Sequence, residues 1–142
     1  MSVSEKLAVI KAAKAAANLK AGEDFLAENA KREGVISVGS GLQYEIIKQG
    51  DGRIPTIDGS VTCHYVGTLI DGKVFDTSRQ RNKPATFEVC GVIAGWTIIL
   101  QLMPVGSHWR IFVPSHLAYG KEQVGMHIAP NSTLIFEIEL LK

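Results

Sequence analysis

The chain has 142 residues, 46% hydrophobic and 20% charged, with a formal net charge of +1. That length suits one domain, or a small domain plus an extension, and the balance excludes both a disordered chain and a membrane-embedded one. A net charge near zero excludes broad electrostatic capture of nucleic acid, and no apolar run approaches the ~20 residues that span a bilayer. Lys11, Lys14 and Lys20 interrupt the N-terminus, so it carries no signal-peptide core. Cys63 and Cys90 make no disulfide framework and read as reduced core residues. The composition suits a cytoplasmic protein, or a periplasmic one if a leader has been removed.

Residues 3–33 are rich in Ala, Lys and Glu, all strong helix formers. Val3, Leu7, Ile10, Ala13, Ala17, Ala21 and Phe25 trace one stripe at spacings of three and four. Gly22 weakens the middle by roughly 1 kcal/mol, and Gly34 is placed to cap the end. The stripe is mostly Ala and buries little. It predicts a long, partly exposed helix, either a solvated extension or a surface for a partner or a second copy.

Residues 35–41 read as a linker. Leu42, Tyr44 and Ile46 alternate as a first strand, and Val61, Cys63 and Tyr65 as a second. Asp71-Gly72 between Leu69-Ile70 and Val74-Phe75 is a hairpin signal. Thr86 to Val89 is a further short strand. Val92 to Met103 is the one helical run of the second half: Val92, Trp96, Ile99 and Met103 share a face, and Pro104 and Gly106 stop it. In the strand from Ser107 to Val113, Trp109, Ile111 and Val113 oppose His108, Arg110 and Phe112. A loop over 121–132 is long enough to be functional. The last strand runs from Thr133 to Leu141. One helix among many strands packs across the concave face of a twisted sheet, which makes the fold α+β. Trp96, early in that helix, is then either plain core or the floor of a pocket.

The chemistry begins with what is missing. There is no phosphate loop, paired-cysteine zinc signature or nucleophile elbow, and His64, His108, His116 and His127 lack metal-ligand spacing. No metal or cofactor is expected. What remains is a set of aromatics, Tyr65, Phe75, Trp96, Tyr119 and Phe136, with one acid, Asp76. An apolar pocket with few polar handles is a ligand-binding pattern.

His64-Tyr65-Val66-Gly67-Thr68-Leu69-Ile70-Asp71-Gly72-Lys73-Val74-Phe75-Asp76-Thr77-Ser78 resembles the signature of the FKBP-type peptidyl-prolyl isomerases. So do Val92-Ile93-Ala94-Gly95-Trp96, Leu117-Ala118-Tyr119-Gly120 and residues 130–137. Residues 25–31 and 40–44 are similar to the bacterial, macrophage infectivity potentiator-like branch. The resemblance implies an antiparallel sheet of five to six strands around one short helix, with a helical extension over 1–34 and the isomerase domain over 35–142. It implies Trp96 as the floor under a substrate proline, with Tyr65, Phe75, Val92, Ile93, Tyr119, Ile128 and Phe136 as walls. The Ile93 N–H and the Tyr119 hydroxyl would hold substrate carbonyls, and Asp76 would sit beside the Tyr65 hydroxyl, positioned by Arg81. Tyr65, Asp76 and Tyr119 are thus the expected catalytic residues, and the remainder bind substrate.

Implied partners are proline-containing peptides and unfolded proteins, with macrolide immunosuppressants as inhibitors. The chain is expected to be a monomer, or a dimer if an N-terminal domain has been removed. A binding module or holdase chaperone of the same fold is the reading from another class. Ala85 stands where the best-known small members carry an aromatic, Ala129 where many relatives have a proline, and Ile98 where bacterial relatives usually have a glutamate. Ile98 is expected to face outward.

Overall fold

The structure is a computed structural model that describes residues 2–79, 82–122, 124–125 and 128–142. Arg81 and His127 therefore lie outside the described residues.

Helix α1 spans Val3–Asn29 and opens on Ser2, whose side chain accepts the Glu5 N–H, relieving one of the donors a helix start leaves unpaired. It ends at Ala30, short of the predicted residue 33. Gly34 lies in the following turn at φ 87, a conformation glycine adopts without strain.

Of the predicted apolar stripe only Phe25, at its C-terminal end, meets the domain. Val3, Leu7 and Ile10 are exposed, as are Ala13, Ala17 and Ala21. The face turned to the domain is Ala15, Asn18, Gly22, Leu26 and Asn29, again at spacings of three and four but, Leu26 apart, small or polar. Polar contacts do the docking. Asn29 donates to the Gln43 side chain at 2.7 Å, and Gln43 donates to the Leu26 carbonyl at 2.9 Å, so both buried amides are satisfied. Phe25 meets Phe112 with ring centroids 6.1 Å apart, and the Arg32 guanidinium lies over the same Phe112 ring. Gly22 allows close approach: a Cβ there would fall 2.2 Å from Thr133 Oγ1. The helix is weakened at that point so that it can touch the domain.

The sheet has seven strands: β1 (Val35–Ser37), β2 (Gln43–Lys48), β3 (Ser60–Leu69), β4 (Val74–Thr77), β5 (Ala85–Glu88), β6 (His108–Val113) and β7 (Leu134–Leu140). Their order is β1-β2-β6-β7-β3-β4, every pairing antiparallel, with β5 also paired to β3. The strand beyond the expected six is β1. It lies in the stretch read as a linker, where three residues pair with β2 through Val35↔Glu45 and Ser37↔Gln43. Strand β3 runs for ten residues, and one edge of it serves two partners. Its start pairs with β5 and its end with β4, reached through the turn at Gly72, φ 91.

Helix α2 is Ala94–Leu100, a shorter element than Val92 to Met103, preceded by a 3-10 turn at Val89–Gly91. Thr97 ties the two together by donating to the Val89 carbonyl at 2.7 Å. Trp96, Ile99, Leu100 and Met103 are buried against Val61, Cys63, Trp109, Ile111, Val113, Ile138 and Leu140. Alternation along β3, β6 and β7 sends these side chains to the concave face. Ile98 is 39% exposed, on the outer side of α2.

The opposite face of the sheet is charged. Glu45 accepts from Arg110 at 2.8 Å and from Arg32 at 3.2 Å; Arg110 and His108 also reach Glu137. Burial of Glu45 opposes its ionisation, but the hydrogen bonds from Arg32 and Arg110 outweigh that and hold its carboxyl below the usual glutamate range. Cys63 is buried, which pushes its thiol up to about 12, whereas Cys90 is exposed and is not a core residue. No helix among the described residues is long and apolar enough to cross a membrane.

Candidate functional site

The concave side opens at one end of α2 into a cleft of about 450 Å³. Strand β3 brings Tyr65 to it and β4 brings Phe75 and Asp76. Strand β5 brings Phe87, β7 brings Phe136, and the turn into α2 brings Gly91, Val92 and Ile93. Trp96 comes from α2 itself, and Tyr119 from the segment after β6.

Trp96 lines this cleft while only 4% exposed. Three rings stand nearly perpendicular to its indole: Tyr65 at 5.4 Å, Phe87 at 5.6 Å and Phe136 at 5.3 Å between centroids. Phe75 meets Phe136 edge to face at 5.7 Å. Edge-to-face packing is the arrangement aromatic quadrupoles favour, and it fixes ring orientations as well as positions. The indole N–H is buried and has no hydrogen-bond partner among the described residues.

Polar groups are few. Tyr65 Oη donates to Asp76 Oδ2 at 2.7 Å, and Asp76 is the one carboxylate among the described lining residues. Ile93 is the N-cap of α2, with extended backbone. Its N–H has no partner among the described residues, as befits the unpaired donors of a helix start. Among the described residues the cleft therefore offers an apolar, aromatic interior, the Ile93 backbone donor, the Tyr119 hydroxyl and one hydrogen-bonded carboxylate at its edge. Its described lining residues include no serine or cysteine beside a base. No cluster of three His, Cys, Asp or Glu side chains among the described residues could hold a metal.

Eight of the expected site residues, Tyr65, Phe75, Asp76, Val92, Ile93, Trp96, Tyr119 and Phe136, share this one cleft. Ile128 does not line it. Its backbone pairs with Val124 and its side chain is buried in the same hydrophobic cluster as Tyr65, Trp96 and Phe136. Arg81 is outside the described residues. Phe87 and Gly91 line the cleft without having been singled out. Phe87 lies two residues beyond Ala85 on the same strand face; its ring stands 5.9 Å from Tyr65 and supplies an aromatic wall on that side. The signal was present in Ala-Thr-Phe-Glu as one aromatic in a short strand. Gly91 adds backbone only, and nothing in its residue type marks it.

Comparison with known proteins places this geometry. The family model described as FKBP-type peptidyl-prolyl cis-trans isomerase matches residues 52–141, and the one for the domain amino-terminal to it matches residues 1–46. The outer membrane protein MIP of Legionella longbeachae is 52% identical over 128 residues, covering 90% of this chain and 55% of that protein. The FKBP-type 22 kDa peptidyl-prolyl cis-trans isomerase of Escherichia coli is 54% identical over 121 residues, covering 85% and 59%. The chain thus spans a little over half the length of these two curated relatives. Among solved structures, FkpA from Escherichia coli superposes with a TM-score of 0.93 at 39% identity, over 99% of this chain and 65% of that one. A peptidyl-prolyl cis-trans isomerase from Pseudomonas syringae superposes with a TM-score of 0.83 at 42% identity, over 89% and 92%. With its family model matched across the cleft-bearing domain, the chain belongs to the FKBP-type peptidyl-prolyl cis-trans isomerases.

Proposed function

We propose that the chain catalyses cis–trans rotation about Xaa–Pro bonds in peptides and unfolded proteins, without a covalent intermediate. The observation that carries this is the Trp96 floor with rings on three sides and, among the described lining residues, no nucleophile paired with a base. A planar amide is held by resonance, and rotation faces a barrier of roughly 18–20 kcal/mol. Half-way round, the nitrogen lone pair no longer conjugates with the carbonyl, and the oxygen loses charge. The twisted form is therefore less polar than the planar one. A dry aromatic cleft disfavours the planar state more, and its shape favours the twisted amide over either planar isomer.

In this reading the prolyl ring rests on Trp96 between Phe75, Phe87 and Phe136. The Ile93 N–H and the Tyr119 hydroxyl hold substrate carbonyls. Asp76, bonded to the Tyr65 hydroxyl, orients that side of the cleft and sets its field; no proton transfer is required of it. Macrolide immunosuppressants occupy the same cleft as inhibitors. The exposed Val3, Leu7, Val9 and Ile10 of α1 support a second copy or an unfolded client beyond the domain, so the chain is a monomer only where that face is unpartnered.

Replacing the floor tests the reading. Trp96→Leu, which keeps the site apolar, is expected to lower kcat/KM on a proline tetrapeptide about tenfold, the equivalent of ~1.4 kcal/mol of transition-state binding. Unchanged kinetics in that variant would put the proline site elsewhere.

A further inference from the structure

We infer that α1 is a positioning element for the cleft, acting through Asn18 and Asn131; the inference rests on the isomerase reading above. Asn18 Nδ2 donates to the Pro130 carbonyl at 3.1 Å, and Asn131 Nδ2 donates back to the Ala15 carbonyl at 3.1 Å. Two adjacent residues of the segment before β7 are thus bound by reciprocal amide bonds to one turn of α1. The contact continues one helical turn on, where Gly22 lies against Thr133.

Asn131 links this clip to the cleft. Its φ is 60, a left-handed conformation that Asn tolerates better than most residues. Its backbone N–H donates to the Gly120 carbonyl at 2.7 Å. Gly120 directly follows Tyr119, a wall of the cleft. One residue therefore joins α1 through its side chain and the Tyr119 wall through its backbone.

The clip is not the only tie between α1 and the domain. Further contacts hold α1 to the domain: Leu26 and Asn29 bond Gln43 of β2, and Phe25 and Arg32 meet Phe112 of β6. Asn18 lies eleven positions before Asn29, about 17 Å along the axis. A helix anchored there is a rigid bar, and at Asn18 it holds the segment that returns from the cleft. Releasing that hold loosens the Tyr119 wall. Binding of the proline substrate weakens, while the rotation step, carried by the Trp96 floor, is left alone.

The test compares Asn18→Ala, Asn18→Asp and Asn18→Gln in the whole chain. Ala is the better helix former, so α1 itself is not weakened; Asp keeps the shape but turns an acceptor toward the Pro130 carbonyl; Gln keeps the donor. Two readings are taken: the hydrogen-exchange rate of the Asn131 amide by NMR, and KM and kcat on a proline tetrapeptide. In N18A, exchange and KM are each expected to rise about fivefold, the worth of one net hydrogen bond, with kcat within about twofold. N18D matches or exceeds this, and N18Q recovers part of it. An unchanged Asn131 exchange rate in an active N18A variant overturns the inference alone. So does a loss of kcat in step with thermal stability at constant KM, which is the mark of a merely structural role. An unsubstituted chain that accelerates no proline peptide overturns the isomerase reading itself.

Discussion

Gly67 tests whether the aromatic walls are set by packing behind them. It sits on β3 opposite Asp76 of β4 and Phe136 of β7. A Cβ there would lie 2.6 Å from Phe75 Cζ, 2.9 Å from Phe75 Cε2 and 3.0 Å from Phe136 Cε1. Carbon atoms sit comfortably at about 3.5–4.0 Å, so in Gly67→Ala the Phe75 ring must retreat by roughly 1 Å and Phe136 by about half that. The rings meet edge to face, so they cannot move independently. Overpacking of this kind costs about 1–3 kcal/mol, or a fall in Tm of about 3–10 °C for a domain of this size. Both rings line the cleft, and a displacement near 1 Å at a reacting site can cost up to a hundredfold. We expect kcat/KM on a proline tetrapeptide to fall at least tenfold, beyond what the modest loss of stability explains at 25 °C. Adding Phe75→Leu, which removes the clashing Cζ and Cε2, should restore much of the stability and less of the activity. Full activity in G67A at a lowered Tm would refute the claim that these two rings shape the site.

Asp76→Asn should leave the fold intact and lower activity, since the Tyr65 hydroxyl keeps a partner of the same shape while the charge is lost; a matching drop in Tm would assign Asp76 a structural role instead. Phe87→Ala is expected to weaken binding of proline ligands by isothermal calorimetry, because it removes one of three rings perpendicular to Trp96; equal affinity would show that wall to be unused. Glu45 has a pKa below the ordinary ~4.3, so its contribution to stability is fully present above that value and is lost as pH falls through the lower folded one. Glu45→Gln should therefore lower Tm at pH 7 and flatten the acid limb of the stability curve, the two curves converging at low pH; parallel curves would contradict the assignment.

How much of this was legible depended on which kind of contact an element makes. Strands β3, β6 and β7 bury alternate side chains on one face, and Val61, Cys63 and Tyr65, or Trp109, Ile111 and Val113, show that directly. Helix α2 was legible through Trp96, Ile99 and Met103, though its regular part is shorter than the apolar run. The docking face of α1 was not. Asn18, Gly22 and Asn29 act through hydrogen bonds and close approach, which leave no apolar stripe, while the stripe that does exist points to solvent from Val3 to Ala21 and reaches the domain only at Phe25. Strand β1 is three residues between glycine-bearing turns, too short for a period. At the cleft, Phe87 sat in a four-residue strand with one aromatic, too short to show a period.

Catalysis of this kind requires that a twisted prolyl amide be better accommodated over Trp96 than a planar one. Two-dimensional NMR exchange on an Ala-Pro peptide, with the chain at catalytic concentration, measures this without any coupled enzyme. Uncatalysed interconversion takes tens to hundreds of seconds at 25 °C. The account predicts strong cis–trans exchange peaks at mixing times well below one second, lost on Trp96→Leu. Exchange that stays on the uncatalysed scale, with the chain folded and the peptide bound, would contradict it.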